Sequence, residues 1–427
     1  MPYVKLPYGN GALGLDVPLN RYLGELVPQI HHNFSGRPER QIVREALSHP
    51  VDAPSLRELA KGKKKIVLLA SDHTRPVPSK IIVPPMLEEL RAGNPDGEIT
   101  ILIATGCHRG TTQKELAQKF GPDILAHEHI VVHDCDDADM LVHLGTLPSG
   151  GELVINRIAA EADLLVAEGF VEPHFFAGFS GGRKSVLPGI AARNTVLYNH
   201  NSSFIANPNA RTGILEHNPI HEDMVYAAHA AGLAFICNVI LDGDKKVVRA
   251  WAGDVEAAHL KACEFLREQC QVDGIPADIV ITSNGGWPLD QNIYQAVKGM
   301  TAAEATVREN GVIIMLAECG CGHGGDSFYQ TFRQERDLDH MMDTFLATPA
   351  EQTIVDQWQS QILARVLLRA RVILISDVPD DIVRDMHMTP AHSLSEALKL
   401  ADAHLAERGI QNAGILTIPD GVSVIVH

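Results

Sequence analysis

Aromatic residues make up only 5% of the 427-residue chain, and no apolar run reaches the ~18 residues a membrane-spanning helix needs. The opening Met1-Pro2-Tyr3-Val4-Lys5 lacks the charged-then-apolar pattern of a secretory signal. Basic residues are outnumbered, 36 Lys+Arg against 53 Asp+Glu, for a formal net charge of -17. That balance argues against a nucleic-acid-binding face, but a few local cations can still hold an anion in a pocket. The seven cysteines are odd in number and irregularly spaced, so they read as reduced thiols and not as a disulfide framework. No internal repeat or low-complexity tract is visible. What remains is a cytoplasmic globular protein, 45% hydrophobic, long enough to bury the cores of two or three domains.

Short Val/Ile/Leu runs alternate with helical patterns. Strands are expected at 66–70, 99–104, 130–133 and 162–167, with a helix over 81–92. A hairpin over 234–241 and 246–251 turns at Asp242-Gly243-Asp244. Residues 270–277 read as a linker. The alternation then restarts with strands at 279–282, 312–317, 372–376, 415–418 and 422–426 and a helix over 291–308. The expected fold is α/β, with two α/β domains (1–272 and 273–427), mixed or parallel sheets and a cofactor cleft between them.

Ligands of open α/β sheets gather at the carboxyl ends of strands, and several reactive side chains fall there. Ser71-Asp72-His73-Thr74-Arg75-Pro76-Val77-Pro78 is a proline-stiffened loop carrying a carboxylate, an imidazole and a guanidinium suited to an anionic group. It reads equally as a surface turn whose Asp and Arg pair with each other. Thr105-Gly106-Cys107-His108-Arg109 sets His108 in a turn where it can act as acid or base; a structural histidine is the alternative. In Glu172–Ser185, Pro173-His174-Phe175-Phe176 is followed by Gly178, Gly181, Gly182, Arg183, Lys184 and Ser185. The spacing is one residue from a phosphate-binding P-loop, with Arg183 where the second glycine belongs, so a triphosphatase is a poor fit. Lys184 could instead be a nucleophile or tether. Asp290 reads as a helix cap, with Gln295 and Lys298 on one face of the helix behind it. Cys319-Gly320-Cys321-Gly322-His323 is a weak metal motif, better read as a loop. His200 and the scattered His31, His32, His127, His129, His229 and His259 carry no pattern of their own.

Together these stretches resemble the nickel-dependent lactate racemases and their 2-hydroxyacid racemase relatives: 71–78, Gly106–Arg109, 174–190, Asn199-His200 and 284–306. The resemblance implies an isomerase that interconverts D- and L-lactate by reversible hydride transfer from Cα. The acceptor implied is a nickel-pincer nucleotide, pyridinium-3,5-bisthiocarboxylic acid mononucleotide, covalently attached to Lys184. It further implies His200 as nickel ligand, His108 and His174 as the acid-base pair, and Asp72, His73, Thr74 and Arg75 as cofactor contacts. Arg75, Gln295 and Lys298 are the implied substrate contacts. The implied partners are a small 2-hydroxy acid and the cofactor-maturation enzymes. Malate or phenyllactate as substrate, or a non-catalytic cofactor carrier, are the alternatives.

Overall fold

The computed structural model describes residues 1–29 and 36–427, so His31 and His32 lie outside it. The chain divides into two compact units, one of Ile30–His200 and Asn207–Glu268, the other of Met1–Gln29, Asn201–Ala206 and Gln269–His427.

The first unit is built on a six-stranded sheet in the order Val247–Gly253, Leu233–Leu241, Leu164–Phe170, Lys65–Ser71, Glu98–Ala104, His129–Val132. Every pairing is parallel except the expected hairpin at the Val247–Gly253 edge. The central strands are apolar on both faces because both faces are covered; all seven residues of Leu164–Phe170 are buried. Helices Glu39–Ser48 and Ser79–Gly93 bring Val43, Met86 and Leu90 onto Ile66, Leu68, Ile101, Val166 and Phe235.

The second unit has an all-parallel sheet in the order Thr389–Ala391, Arg371–Ile375, Val307–Leu316, Ala277–Ser283, Ile415–Ile418, Tyr22–Glu25. The last of these strands comes from the start of the chain. Tyr22 pairs with Ile415, and Arg21 fixes the edge by donating to Ala413 O at 2.8 Å and pairing with Asp402. A hairpin of Tyr3–Tyr8 and Gly11–Asp16 adds Val4 and Leu6 to the same core. The first 29 residues therefore fold with the C-terminal unit, where the sequence placed them in the N-terminal domain. Local periodicity carries no trace of a pairing this distant. Nor is 270–277 a plain linker, since Gln271–Val272 pairs in parallel with Ile425–Val426.

Candidate active site

Three neighbouring strands of the first unit, Leu164–Phe170, Lys65–Ser71 and Glu98–Ala104, end in the segments that carry Lys184 and His174, Asp72 and Arg75, and His108. Ser71 and Ala104 are paired, which brings the Asp72 and His108 turns side by side. His108 Nδ1 donates to Asp72 Oδ2 at 2.8 Å, and the Thr74 hydroxyl donates to Oδ1 at 2.7 Å. Asp72 is 1% exposed. Burial alone would raise its carboxyl, but His108, Arg75 and Thr74 overcome that and hold it at about 2. An ionised Asp on Nδ1 fixes the His108 tautomer and leaves Nε2 with its lone pair. Arg75 is exposed and has no carboxylate partner among the described residues, so it does not close onto Asp72 as a simple surface turn would.

The loop between Ser71 and Ser79 is held from beneath by residues that the sequence did not single out. Glu168, fully buried, accepts from Ser71 N at 2.9 Å and from Ser79 Oγ at 3.0 Å through one oxygen. Burial pushes its carboxyl up, against the pull of Lys119. Lys119 Nζ in turn donates to Val77 O at 3.2 Å and Arg75 O at 3.4 Å. His73 goes elsewhere: its Nδ1 lies 3.1 Å from Thr111 Oγ1 and its Nε2 3.9 Å from Glu115. Arg109 is committed to Glu115.

After Leu164–Phe170 the chain doubles back, Pro173–His174 pairing antiparallel with Gly178–Phe179. Gly178 has φ of +76°, and a Cβ there would collide with the Ile214 carbonyl, so no other residue fits the bend. His174 packs on Phe175 (5.1 Å between ring centres) and edge-on to Phe176 (4.5 Å). Ala177 N donates to its Nδ1 at 3.3 Å, which in a neutral ring puts the proton on Nε2. His108 and His174 thus stand in opposite states, one presenting a lone pair and the other a proton.

The glycine-rich turn is not a phosphate cradle. Arg183 is fully buried and points into its own loop, donating to Phe179 O at 2.7 Å, Ala177 O at 2.8 Å and His221 Nδ1 at 3.0 Å. Burial brings its guanidinium down to about 10, which still leaves it charged at neutral pH. A P-loop turns backbone N–H groups inward toward an anion. Here backbone carbonyls converge on a cation. With the loop fixed this way, the next residue, Lys184, sets its ammonium 5.7 Å from the centre of the Phe176 ring. The same ring meets His200 edge-on at 5.2 Å. His200 follows the helix Arg193–Asn199 and gives its Nδ1 to Val196 O at 3.0 Å. Burial and then the Lys184 charge push the imidazole down to about 3, so the ring is neutral. Phe176 is the organiser that sequence reading missed; only its place beside His174 hinted at it.

Gln295 and Lys298 belong to the other unit, both half-buried on the helix Ile293–Thr306. The cap is Asn292, whose side chain accepts from Gln295 N at 2.9 Å. The expected cap, Asp290, is instead buried and accepts from Gly9 N at 2.7 Å. The Cys319–His323 loop closes over the start of this helix, with Ile293 N donating to Gly322 O and Tyr294 N to His323 O. It is a structural loop, and its two cysteines and histidine form no donor cluster. Among the described residues the one metal-donor grouping is Asp134, Cys135 and Asp136, and Asp136 is already paired with Arg193 at 2.7 Å. The Cys107 thiol lies against Cys135.

Two family models cover most of the chain, the lactate racemase N-terminal domain over residues 8–213 and the lactate racemase C-terminal domain over 272–426. The chain belongs to the lactate racemase family. It is 53% identical to a lactate racemase of Thermoanaerobacterium thermosaccharolyticum and 51% identical to one of Lactiplantibacillus plantarum, each over the full length of both chains. The lactate racemase apoprotein structure from the first organism matches with a TM-score of 0.96 over the whole of both chains. A Thermotoga maritima protein, 18% identical, matches 93% of this chain and all of its own with a TM-score of 0.66, and shares the fold. As a member of the family the chain is an isomerase, a racemase. No helix among the described residues is long and apolar enough to cross a membrane.

The His200 environment suits a metal ligand. Its Nδ1 is committed to a backbone carbonyl and its ring is kept neutral, the state in which the other nitrogen of a histidine coordinates a borderline metal such as nickel. Lys184, on a short rigid turn beside it, offers an amine at the same place.

The His108–Asp72 pair has a testable weight of its own. Asp72→Asn keeps the shape but can set His108 in the wrong tautomer, and kcat is expected to fall by up to about 10⁴-fold with KM little changed, as when a histidine-orienting aspartate is amidated elsewhere. Because the folded carboxyl lies below its ordinary value, the pair stabilises the fold above the ordinary carboxylate range and loses that contribution as the pH falls through about 2. Urea melts of the two proteins should therefore differ at pH 7 and converge toward pH 2. A kcat that does not change would remove Asp72 from this role.

Proposed function

We propose that this racemase interconverts D- and L-lactate, with Lys184 as the covalent tether and His200 as the nickel ligand of a nickel-pincer nucleotide. When bound, that group supplies a reversible acceptor for the hydride on Cα, which is too weakly acidic to be removed as a proton. The observation that carries the reading is the grouping of the neutral His200, Lys184 and His174 around one ring, Phe176.

The protein's own side chains then move the protons. His108 Nε2 takes the substrate hydroxyl proton, and ionised Asp72 stabilises the imidazolium that forms. To supply a proton on the other side, His174 first takes one at Nδ1, which costs it the hydrogen bond from Ala177 N, and the imidazolium so formed gives up its Nε2 proton. The ring is then left with a lone pair on Nε2, the state it needs to act as the base of the reverse reaction. Arg75 holds the substrate carboxylate as a two-pronged donor, its backbone fixed by Lys119; Gln295 and Lys298 are the further substrate contacts. Two bases of opposite state suit a racemase and would be useless to a cofactor carrier.

The test is to express the chain with cofactor-making enzymes, measure the intact mass, and offer enantiopure lactate, malate and phenyllactate with chiral analysis of the products. The expected result is an adduct on Lys184 and lactate racemised fastest. Absence of the adduct overturns the tether, and faster malate or phenyllactate turnover overturns the substrate.

A further inference from the structure

The unit built from Met1–Gln29, Asn201–Ala206 and Gln269–His427 contains nine arginines. Six of them pair with carboxylates: Arg21, Arg308, Arg333, Arg336, Arg365 and Arg384. The three that do not are Arg369, Arg371 and Arg408, and all three line one open cavity of about 320 Å³. In a chain with 17 more acidic than basic residues, three guanidinium groups in one place without a carboxylate partner among the described residues are unexpected; Arg369 donates instead to Val307 O at 3.0 Å. His387, His404 and Asn310 line the same cavity, and no carboxylate does.

The basic groups here crowd one another. Arg371 Nη1 approaches His404 Nδ1 to 3.3 Å, and Arg371 Nε donates to Thr389 Oγ1 at 3.2 Å. Burial, then Arg371 and Arg408, hold the His404 imidazole down. Opposing charge is close but smaller. Helices Gln357–Arg369 and Leu394–Glu407 both end here, each bringing about half a negative charge, and the Glu407 carboxylate, outside the lining, pulls the His404 imidazole up. Three guanidinium charges still leave a net charge of about +1, with arginine donors facing solvent.

The cavity lies at the amino ends of the strands. Arg371 opens its strand, Thr389 opens the next, and Asn310 precedes the paired part of Val307–Leu316. The helix with Gln295 and Lys298 begins at the opposite, carboxyl end of the sheet. A ligand in the cavity would therefore not compete for those residues.

We propose that this cavity is a second binding site, for a small multiply charged oxyanion, either a phosphate monoester or a dicarboxylate. The volume is at the small end of the range for ligand pockets, about 300–1,000 Å³, and paired arginines match the planar oxygens of both groups. The proposal does not depend on which substrate the racemase prefers.

The test uses the cofactor-loaded protein at constant ionic strength, titrated with AMP and separately with succinate while thermal unfolding is followed. A ligand of the folded state raises the melting temperature saturably. The expected result is such a rise with at least one of the two probes, which also tells phosphate from dicarboxylate. An Arg371→Gln/Arg408→Gln double variant should weaken it by about tenfold or more while racemising its substrate at the unaltered rate. No saturable rise beyond matched NaCl overturns the proposal, and so does a rise that the double variant leaves intact. Sedimentation adds a third outcome: if wild type binds neither probe but self-associates, and the variant does not, the groove serves a second copy of the chain and not a small anion.

Discussion

Replacing either His108 or His174 with alanine should lower kcat/KM for racemisation by about 10²–10⁴-fold while leaving the Lys184 adduct and the nickel content unchanged. A positioned acid or base contributes that much, equivalent to roughly 3–5 kcal/mol of barrier. The two losses should be of similar size, because each turnover needs one group to take a proton and another to give one. Neither substitution removes a buried ring, but His108→Ala also takes the partner of the buried Asp72 carboxylate, so its activity is read against the fraction folded. His108 has a side chain 43% exposed, and His174 is only half-buried against Phe175 and Phe176. The enantiomers have equal free energy in water, so each variant must lose kcat/KM equally in both directions; unequal losses would point to an artefact of the assay. Full activity in either variant would remove that histidine from the acid-base pair.

The second large effect is expected at His200. His200→Ala should bring nickel content close to zero and abolish turnover, while the mass adduct on Lys184 still forms. In the proposed reading the tether and the metal ligand are separate groups, so their losses should separate. His200 is fully buried, so truncation also opens a cavity and costs about 2–4 kcal/mol of stability. His200→Gln, closer in volume, controls for that cost: it should melt nearer to wild type and remain without metal. Stoichiometric nickel in the folded Gln variant would show that some other residue holds the metal.

Local pattern made parts of this arrangement legible. The central strands read correctly because burial on both faces demands unbroken apolar runs, and the reactive residues at their ends followed from where such sheets present ligand sites. Arg183 was visible as the residue that spoils a P-loop. Its inward turn was not, because satisfying a buried guanidinium with backbone carbonyls is a three-dimensional solution with no spacing rule. The same holds for Glu168 and Lys119, which reach the Asp72 loop from distant strands and helices and look like ordinary charged residues in sequence. Asn292 displaced Asp290 as the cap because Asp290 was taken by Gly9, nearly three hundred residues away in the chain. The opposite proton states of His108 and His174 depend on single hydrogen bonds, to a carboxylate in one case and from an amide in the other.

The strand Tyr22–Glu25 has a consequence for how the molecule is made. It is synthesised among the first residues, yet its neighbour in the sheet among the described residues, Ile415–Ile418, is among the last. During translation it must wait as an unpaired edge while the first unit, contained within residues 30–268, can already close on itself. Long-range pairings of this kind form slowly, and exposed edges invite association with other chains. The terminal hairpin and Arg21 therefore belong to the last step of folding, and shortening the chain at its far end by a dozen residues would leave its beginning without a place to dock.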